Sequence, residues 1–184
     1  ADDNFIVTAA RPNTTATLAN TSFASGGARV LSVTTAGTGD NGKTNTIVGT
    51  DVFDNAVTEV ITSTGSAEAV DGATFFKTVT SVTSSAQFAA NIEVGSIASA
   101  AQSVAGGARI RLKGYSIVSG GTAGVIDFID GTPESGTTLF KARTIGTDNT
   151  TLDNTIPSEG ILFKDGLTIK YTVGTIDMMS FFFA

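Results

Sequence analysis

Short runs of β-branched and aromatic residues, separated by polar turns that contain glycine, constrain this chain more than any other feature. The pattern is densest in residues 46–82, where it predicts strands at Thr46–Asp51, Ala56–Thr62 and Phe75–Val82. Residues of these types favour strands, and the runs show no helical period. Short strands at regular spacing indicate a sandwich or barrel, and they argue against alternating strands and helices.

The same pattern recurs on both sides of this stretch and predicts further strands. They lie at Ala28–Ala36, Asn91–Gly95, Ala108–Val118, Gly124–Asp130, Thr137–Arg143, Gly160–Phe163, Leu167–Val173 and Asp177–Phe183. Residues 63–73 and 146–156 are polar and are predicted to be loops, and residues 84–90 are compatible with one helical turn. The predicted fold class is all-β, with two tandem antiparallel β-sandwich or barrel-like domains.

An internal echo suggests that the architecture is repeated. The segment Gly26–Val30 (Gly-Gly-Ala-Arg-Val) returns as Gly106–Ile110 (Gly-Gly-Ala-Arg-Ile), as a duplicated module would show. Residues 96–103 are small and nearly uncharged, which favours a linker. We therefore expect an N-terminal arm or first strand at 1–24, a β domain at 25–98, a linker at 99–105 and a second β domain at 106–184.

The composition argues against several kinds of chemistry. The chain has no cysteine and no histidine, so it lacks thiolate ligands, disulfides and the commonest general base. Its net charge is −6, and nucleic-acid binding depends on lysine and arginine contacts with phosphates, so no nucleic-acid partner is expected. No apolar run approaches the roughly 18 residues of a membrane-spanning helix, so no membrane partner is expected. The acidic start is unlike a signal peptide.

Residues 37–44 match the phosphate-binding pattern G-x-x-x-x-G-K-[ST]. Such a loop requires a helix that begins at the Lys-Thr pair, because the amides of that helix bind the phosphate. Here the following residues are β-branched and then interrupted by Gly49, which favours a strand. Asn41-Gly42 is also typical of a tight hairpin turn. We therefore predict a hairpin turn and no nucleotide cofactor.

Acidic residues occur in pairs, notably Asp127 with Asp130 and Asp148 with Asp153. Aspartate at the end of a strand usually forms a turn. The spacing around residues 148–154 matches no EF-hand calcium loop, so a solvated loop is the better interpretation. We predict no catalytic residues, no metal site, no cofactor and no enzymatic activity.

Two apolar segments near the chain ends are candidate contact elements. One is Phe5-Ile6-Val7, and the other is Phe181-Phe182-Phe183 on the last predicted strand. On a strand Phe181 and Phe183 share one face and Phe182 the other, so both faces of this strand are apolar. Such a strand is buried in a core or lies against a partner subunit. The candidate subunit contacts are Phe5, Ile6, Val7, Phe181, Phe182 and Phe183.

Two sets of segments resemble modules of small tailed-bacteriophage virion proteins. The first half carries Arg29–Thr34, Ile47–Asp51, Val57–Ile61 and Phe75–Val82. The second half carries Ala108–Gly114, Gly136–Leu139, Ile156–Phe163 and the strand that runs from Asp177 to Phe183. These segments are strands and turns, and they contain no active-site residues.

The resemblance implies a virion structural protein, most simply a head-decoration (cement) protein that stabilises the phage capsid. The implied partners are the major capsid protein or other virion proteins, with further copies of the chain in a homo-oligomer such as a trimer. The implied location is the outer surface of the head rather than the tail. The alternative is a tail, fibre or adhesin-type module that binds a host surface.

Overall fold

The computed structural model describes residues 2–23, 27–65, 67–106, 108–133, 135–172 and 174–184. Within these ranges the chain is mostly strand, in several antiparallel sheets, and contains no α-helix. The all-β prediction is therefore confirmed. The strands are β1 (Asp2–Ala10), β2 (Ala28–Thr35), β3 (Thr44–Thr50), β4 (Ala56–Thr62), β5 (Ala69–Phe76), β6 (Thr78–Ser84), β7 (Ile92–Gly106), β8 (Ile110–Ser119), β9 (Gly124–Asp130), β10 (Thr137–Thr144), β11 (Thr151–Thr155), β12 (Ile161–Phe163), β13 (Gly166–Thr172) and β14 (Ile176–Phe183).

Three local predictions differ from the structure. The predicted strand Phe75–Val82 is split between β5 and β6, and β5 begins inside the predicted loop at 63–73. β11 likewise lies inside the predicted loop at 146–156. Residues 85–90 form bends rather than a helical turn. In β5 and β11, pairing with a neighbouring strand satisfies the backbone of a polar sequence, so strand formation there depends on tertiary context.

The predicted linker at 99–105 lies within β7, so it is not a flexible connection. Small residues suggested a linker, but here they allow close packing, since Ala100 and Ala101 are fully buried. The chain divides into two compact units, Ala1–Ser99 and Ala100–Ala184, and the division falls inside this strand. β7 pairs with β1 and β2 in the N-terminal unit and with β13 in the C-terminal unit.

The N-terminal unit is sandwich-like. One sheet has the order β4-β3-β6, and the other has the order β5-β2-β7 with β1 on the far side of β7. Both sheets contribute side chains to one core, including Leu31 and Val33 from β2, Ile47 from β3 and Val82 from β6. The edge of β6 is covered by an irregular segment, residues 14–22, through backbone bonds such as Ala16 N to Val82 O (2.9 Å).

The C-terminal unit is also sandwich-like. β9 lies between β10 and β13, and β7 pairs with β13. In the second sheet β8 is central, with β11 and β12 on one side and β14 on the other. Its core joins Leu112 and Ile117 from β8 with Phe128 from β9 and Ile169 from β13.

The strand pairings of the two units correspond. The pairings β7-β2-β5 and β4-β3-β6 of the first unit correspond to β14-β8-β11/β12 and β10-β9-β13 of the second. The units differ in two places, because β7 also pairs with β1 and β13 also pairs with β7. The echoed Gly-Gly-Ala-Arg segments precede or begin β2 and β8, which hold equivalent places, although Gly26 and Gly107 lie outside the described residues. The duplication expected from the sequence stays a prediction.

The N-terminal segment takes the form of a strand rather than a free arm. β1 pairs antiparallel with β7, for example Val7 with Val94. Ile6 and Val7 are fully buried in the core of their own unit, and Phe5 is half-buried with its ring stacked on Phe23 at a centroid distance of 5.2 Å. The side chains of Ile6 and Val7 therefore do not form an exposed contact surface, because their own core uses them.

Candidate interaction surface

The segment that matches the phosphate-binding pattern folds without a helix. Residues Thr38–Asp40 form one 3-10 turn, and β3 begins at Thr44. The prediction that a strand follows the Lys-Thr pair is confirmed. The hairpin prediction is wrong, because β2 and β3 pair with different strands and belong to different sheets. The turn is a corner that leads from one sheet of the N-terminal unit to the other.

Lys43, the lysine of that pattern, is engaged inside the protein. Its Nζ lies 2.8 Å from Asp40 Oδ1 and donates to the carbonyl of Gln87 at 2.6 Å. The same ammonium lies 5.4 Å from the centre of the Phe88 ring. The lysine thus fixes the loop after β6 to this corner, which argues against a phosphate-binding role.

Asp40 is fully buried and is the centre of this arrangement. Its two carboxylate oxygens accept the backbone N–H groups of Ala89 (2.5 Å) and Ala90 (3.1 Å) in addition to the Lys43 bond. Burial alone would raise the pKa of Asp40, but the hydrogen bonds from Lys43, Ala89 and Ala90, with the lysine charge, outweigh it and lower that pKa. Asp40 is thus a structural anion.

The acidic residues that the sequence offers as pairs do not assemble a metal site. Within the described ranges no group of three or more carboxylates is placed to hold a metal ion. Asp127 forms an ion pair with Lys141 at 3.0 Å. Asp148 lies beside Asp177 of β14. Desolvation raises the pKa of Asp177, and the hydrogen bond and charge of Asp148 raise it further.

β14 is an edge strand whose backbone polarity can be deduced from its neighbour. Ser119 N donates to Thr150 O on one side of β8, and Gly120 N donates to Thr175 O on the other. Because these directions alternate along a strand, the backbone N–H and C=O groups of Val118, Ser116 and Gly114 on β8 point toward β14. Their partners in register are Met178, Ser180 and Phe182. The intervening residues Met179 and Phe181 therefore direct their N–H and C=O groups toward the free edge.

The outer face of β14 is apolar and exposed. Met178 and Phe182 lie on this face and are 62% and 57% exposed. Phe183, which lies with Phe181 on the opposite face at the end of the strand, is 43% exposed. Phe182 stands opposite Gly114, where its ring covers the glycine backbone: a Cβ at Gly114 would meet the ring at 3.4 Å. In the described part of the chain the only other large exposed hydrophobic residues are Val60, Val125, Leu139 and Ile145.

The inner face of β14 is less well covered than the inner face of β7, the strand that holds the corresponding place in the N-terminal unit. Ile92 and Val94, on the inner face of β7, are both fully buried. Ile176, Met179 and Phe181 pack against the core of the C-terminal unit but remain half-buried. The difference follows from the pairing, because β1 covers the second edge of β7 and no described strand covers that of β14.

The sequence singled out part of this surface. Phe181 and Phe183 do share a face, with ring centroids 6.3 Å apart, and Phe182 and Phe183 are exposed. Met178 was missed, although its position two residues from Ser180 and four from Phe182 places it on the same face. Three residues thus define the β14 surface: Met178, Phe182 and Phe183.

Comparison with known proteins identifies no similar protein. No family model, curated protein or solved structure matches the chain. In the part of the chain that the structure describes, no helix is long and apolar enough to cross a membrane.

Proposed function

We propose that this protein is a non-enzymatic structural protein of a tailed-phage particle, and that it decorates the outside of the head. The observation that carries the proposal is the β14 surface, an open strand edge flanked by exposed Met178, Phe182 and Phe183. The resemblance of both halves to phage virion modules supports the same conclusion. An exposed apolar edge of this kind is a contact element in proteins that act by assembly.

The proposed mechanism is passive. A protein that binds only the assembled shell stabilises it by mass action, in proportion to the logarithm of its concentration over its dissociation constant. The β14 surface contains no charged residue, and the strand itself contains one, Asp177. Because salt screens charged contacts far more than apolar ones, binding through this surface should change little with ionic strength.

The test uses capsids prepared without the protein and then mixed with it. The proposal predicts co-sedimentation with the capsids and density on their outer lattice by cryo-microscopy. Phe182→Lys should weaken this binding at least tenfold, because it places a charge in a desolvated contact. Val60→Lys is the matched control, since Val60 is also 57% exposed but lies on β4.

Density confined to the tail of the particle would contradict the proposed location and favour the tail or adhesin alternative. Absence of the chain from purified particles would contradict the proposal as a whole. Equal loss of binding with Phe182→Lys and Val60→Lys would show that the β14 surface is not the contact.

A further inference from the structure

The N-terminal unit shows what an additional strand beside β14 would do. β1 lies antiparallel on β7 and supplies Ile6 and Val7 to the core. Since β7 and β14 hold equivalent places in the two units, the edge beside β14 corresponds to the position of β1. Within the described residues this position has no strand, and the inner face of β14 remains half-buried.

We propose that this position is taken by β14 of a second copy, in an antiparallel pairing whose two-fold axis passes beside Ser180. A two-fold axis supplies both copies with the missing antiparallel strand at once, through the same surface. The inference does not require the proposed function, because the isolated protein would dimerise whether or not it belongs to a virus particle.

The backbone of β14 fits this register. Met179 and Phe181 direct their polar groups to the free edge, as the pairing with β8 requires. With the axis at Ser180, Met179 faces the partner's Phe181, and the two residues exchange both N–H···O=C bonds. Ser180 then faces the partner's Ser180 as a non-hydrogen-bonded pair, in which the Cα atoms approach to about 4.5 Å.

The exposed side chains are self-complementary in the same register. Met178 lies opposite the partner's Phe182, so each copy covers the most exposed apolar side chains on β14 of the other. Cross-strand pairs between an aromatic and a flexible apolar side chain are favourable. Small Ser180 lies at the axis, where the two copies come closest.

The position of the one charged residue of β14 favours this register over a register whose axis lies at that residue. Asp177 is the one charged residue of β14, and it faces the partner's Phe183 when the axis is at Ser180. The two Asp177 carboxylates are then six residues apart along the strands, or about 20 Å. An axis at Asp177 would place them directly opposite each other, which is destabilising.

The apolar area indicates the strength of the dimer. An aromatic side chain buries about 200 Å² when covered, so the exposed fractions of Met178, Phe182 and Phe183 amount to about 300 Å² per copy. Both copies together contribute about 600 Å², to which the strand edges add, so the interface is small and belongs with the weak, transient contacts. We therefore expect a dimer with a micromolar dissociation constant.

Ser180→Cys provides a direct test, because the chain contains no other cysteine. A Cα separation of about 4.5 Å across the axis is compatible with a disulfide. Mild oxidation should link the protein into covalent dimers at least tenfold faster than a matched variant on another edge strand. Thr58→Cys on β4 is that control, since Thr58 is also exposed on a strand edge.

A charge exchange tests the register itself. Met178→Glu and Phe182→Lys should each raise the dissociation constant at least tenfold, as measured by analytical ultracentrifugation. The double variant should return to within about threefold of the original value, because the new carboxylate of one copy faces the new ammonium of the other. Thermal unfolding of each variant separates loss of pairing from loss of folding.

Several results would overturn the inference. One is a protein that remains monomeric up to about 1 mM, where a micromolar dimer would be saturated. Another is cross-linking of Ser180→Cys no faster than that of Thr58→Cys. A double variant that pairs no better than either single variant would refute the register. The proposed capsid contact uses the same edge of β14, so capsid binding is measured with protein that is not cross-linked, at concentrations where it is monomeric. Failure to bind capsids there would remove the proposed function and leave this inference standing.

Discussion

β7 and β14 hold the same place in the pairing pattern of the two units, but only β7 is covered on both sides. β1 lies along the second edge of β7, and the inner-face residues Ile92 and Val94 are fully buried. The second edge of β14 has no described neighbour, and its inner-face residues Met179 and Phe181 are half-buried. The comparison shows that one topology can produce a closed unit or an open one, depending on a single strand.

The N-terminal unit also covers parts of two further strand edges, those of β6 and β5. Residues 14–22 run along β6, and the Glu59 carboxylate accepts the backbone N–H groups of Ala73 (2.6 Å) and Thr74 (3.2 Å) on β5. Gly72 lies close to this carboxylate, so a larger residue there would displace the Glu59 side chain. Proteins commonly protect strand edges in this way, and an edge left open is suited to pairing with another chain.

The largest expected effect comes from truncating one inner-face residue of β7 and one of β14. Ile92→Ala should reduce the free energy of unfolding by about 4 kcal/mol, because it leaves a cavity in a closed core. Met179→Ala should cost only about 1.5 kcal/mol at a concentration where the protein is monomeric, since its side chain is half-buried. Denaturant unfolding of both variants gives the comparison. Equal losses would mean that β14 is as well covered as β7.

A second prediction concerns the buried carboxylate of Asp40, which joins Lys43 to the loop after β6 in the N-terminal unit. Asp40→Asn should cost about 3 kcal/mol at pH 7, because it leaves Lys43 without its buried partner. The pKa of Asp40 is lowered in the folded protein, so the carboxylate stabilises the fold above the unfolded pKa of about 4. That contribution disappears as the pH falls through the lower folded value.

The cost of Asp40→Asn should therefore shrink when unfolding is measured below about pH 4, relative to pH 7. Asp153→Asn is the control, because Asp153 is exposed on β11. A cost that is constant across this range would contradict the structural role assigned to the Asp40 charge.

Much of the strand content could be predicted from the sequence, but the open edge could not. Alternating and β-branched runs located β4 and β9 with the bounds that the structure has. Pairing partners are not encoded locally, so the split between β5 and β6 and the role of 99–105 in β7 were missed. For the same reason the sequence grouped Ile6 with Phe182 as candidate contacts, although one is buried and the other exposed.

The smallest expected effect concerns Asp177, near the start of β14, and its neighbour Asp148. Desolvation and the neighbouring Asp148 raise the pKa of Asp177. A carboxyl whose pKa is raised by folding destabilises the fold once the pH exceeds that pKa. Asp148→Asn should therefore raise the melting temperature slightly at pH 7, and the gain should fade as the pH falls through the raised pKa of Asp177 toward the ordinary value of an aspartate. A lower melting temperature at pH 7 would contradict this account.

Amide hydrogen exchange along β14, measured at two protein concentrations, tests most directly whether the edge of this strand is free in the monomer and covered by a second copy in the dimer. The N–H groups of Met179 and Phe181 point to the free edge, whereas that of Ser180 bonds to β8. In dilute protein we expect fast exchange at Met179 and Phe181 and slow exchange at Ser180. At high concentration all three should be slow, because a second copy then covers the edge. Protection at Met179 and Phe181 that does not change with concentration would contradict the account.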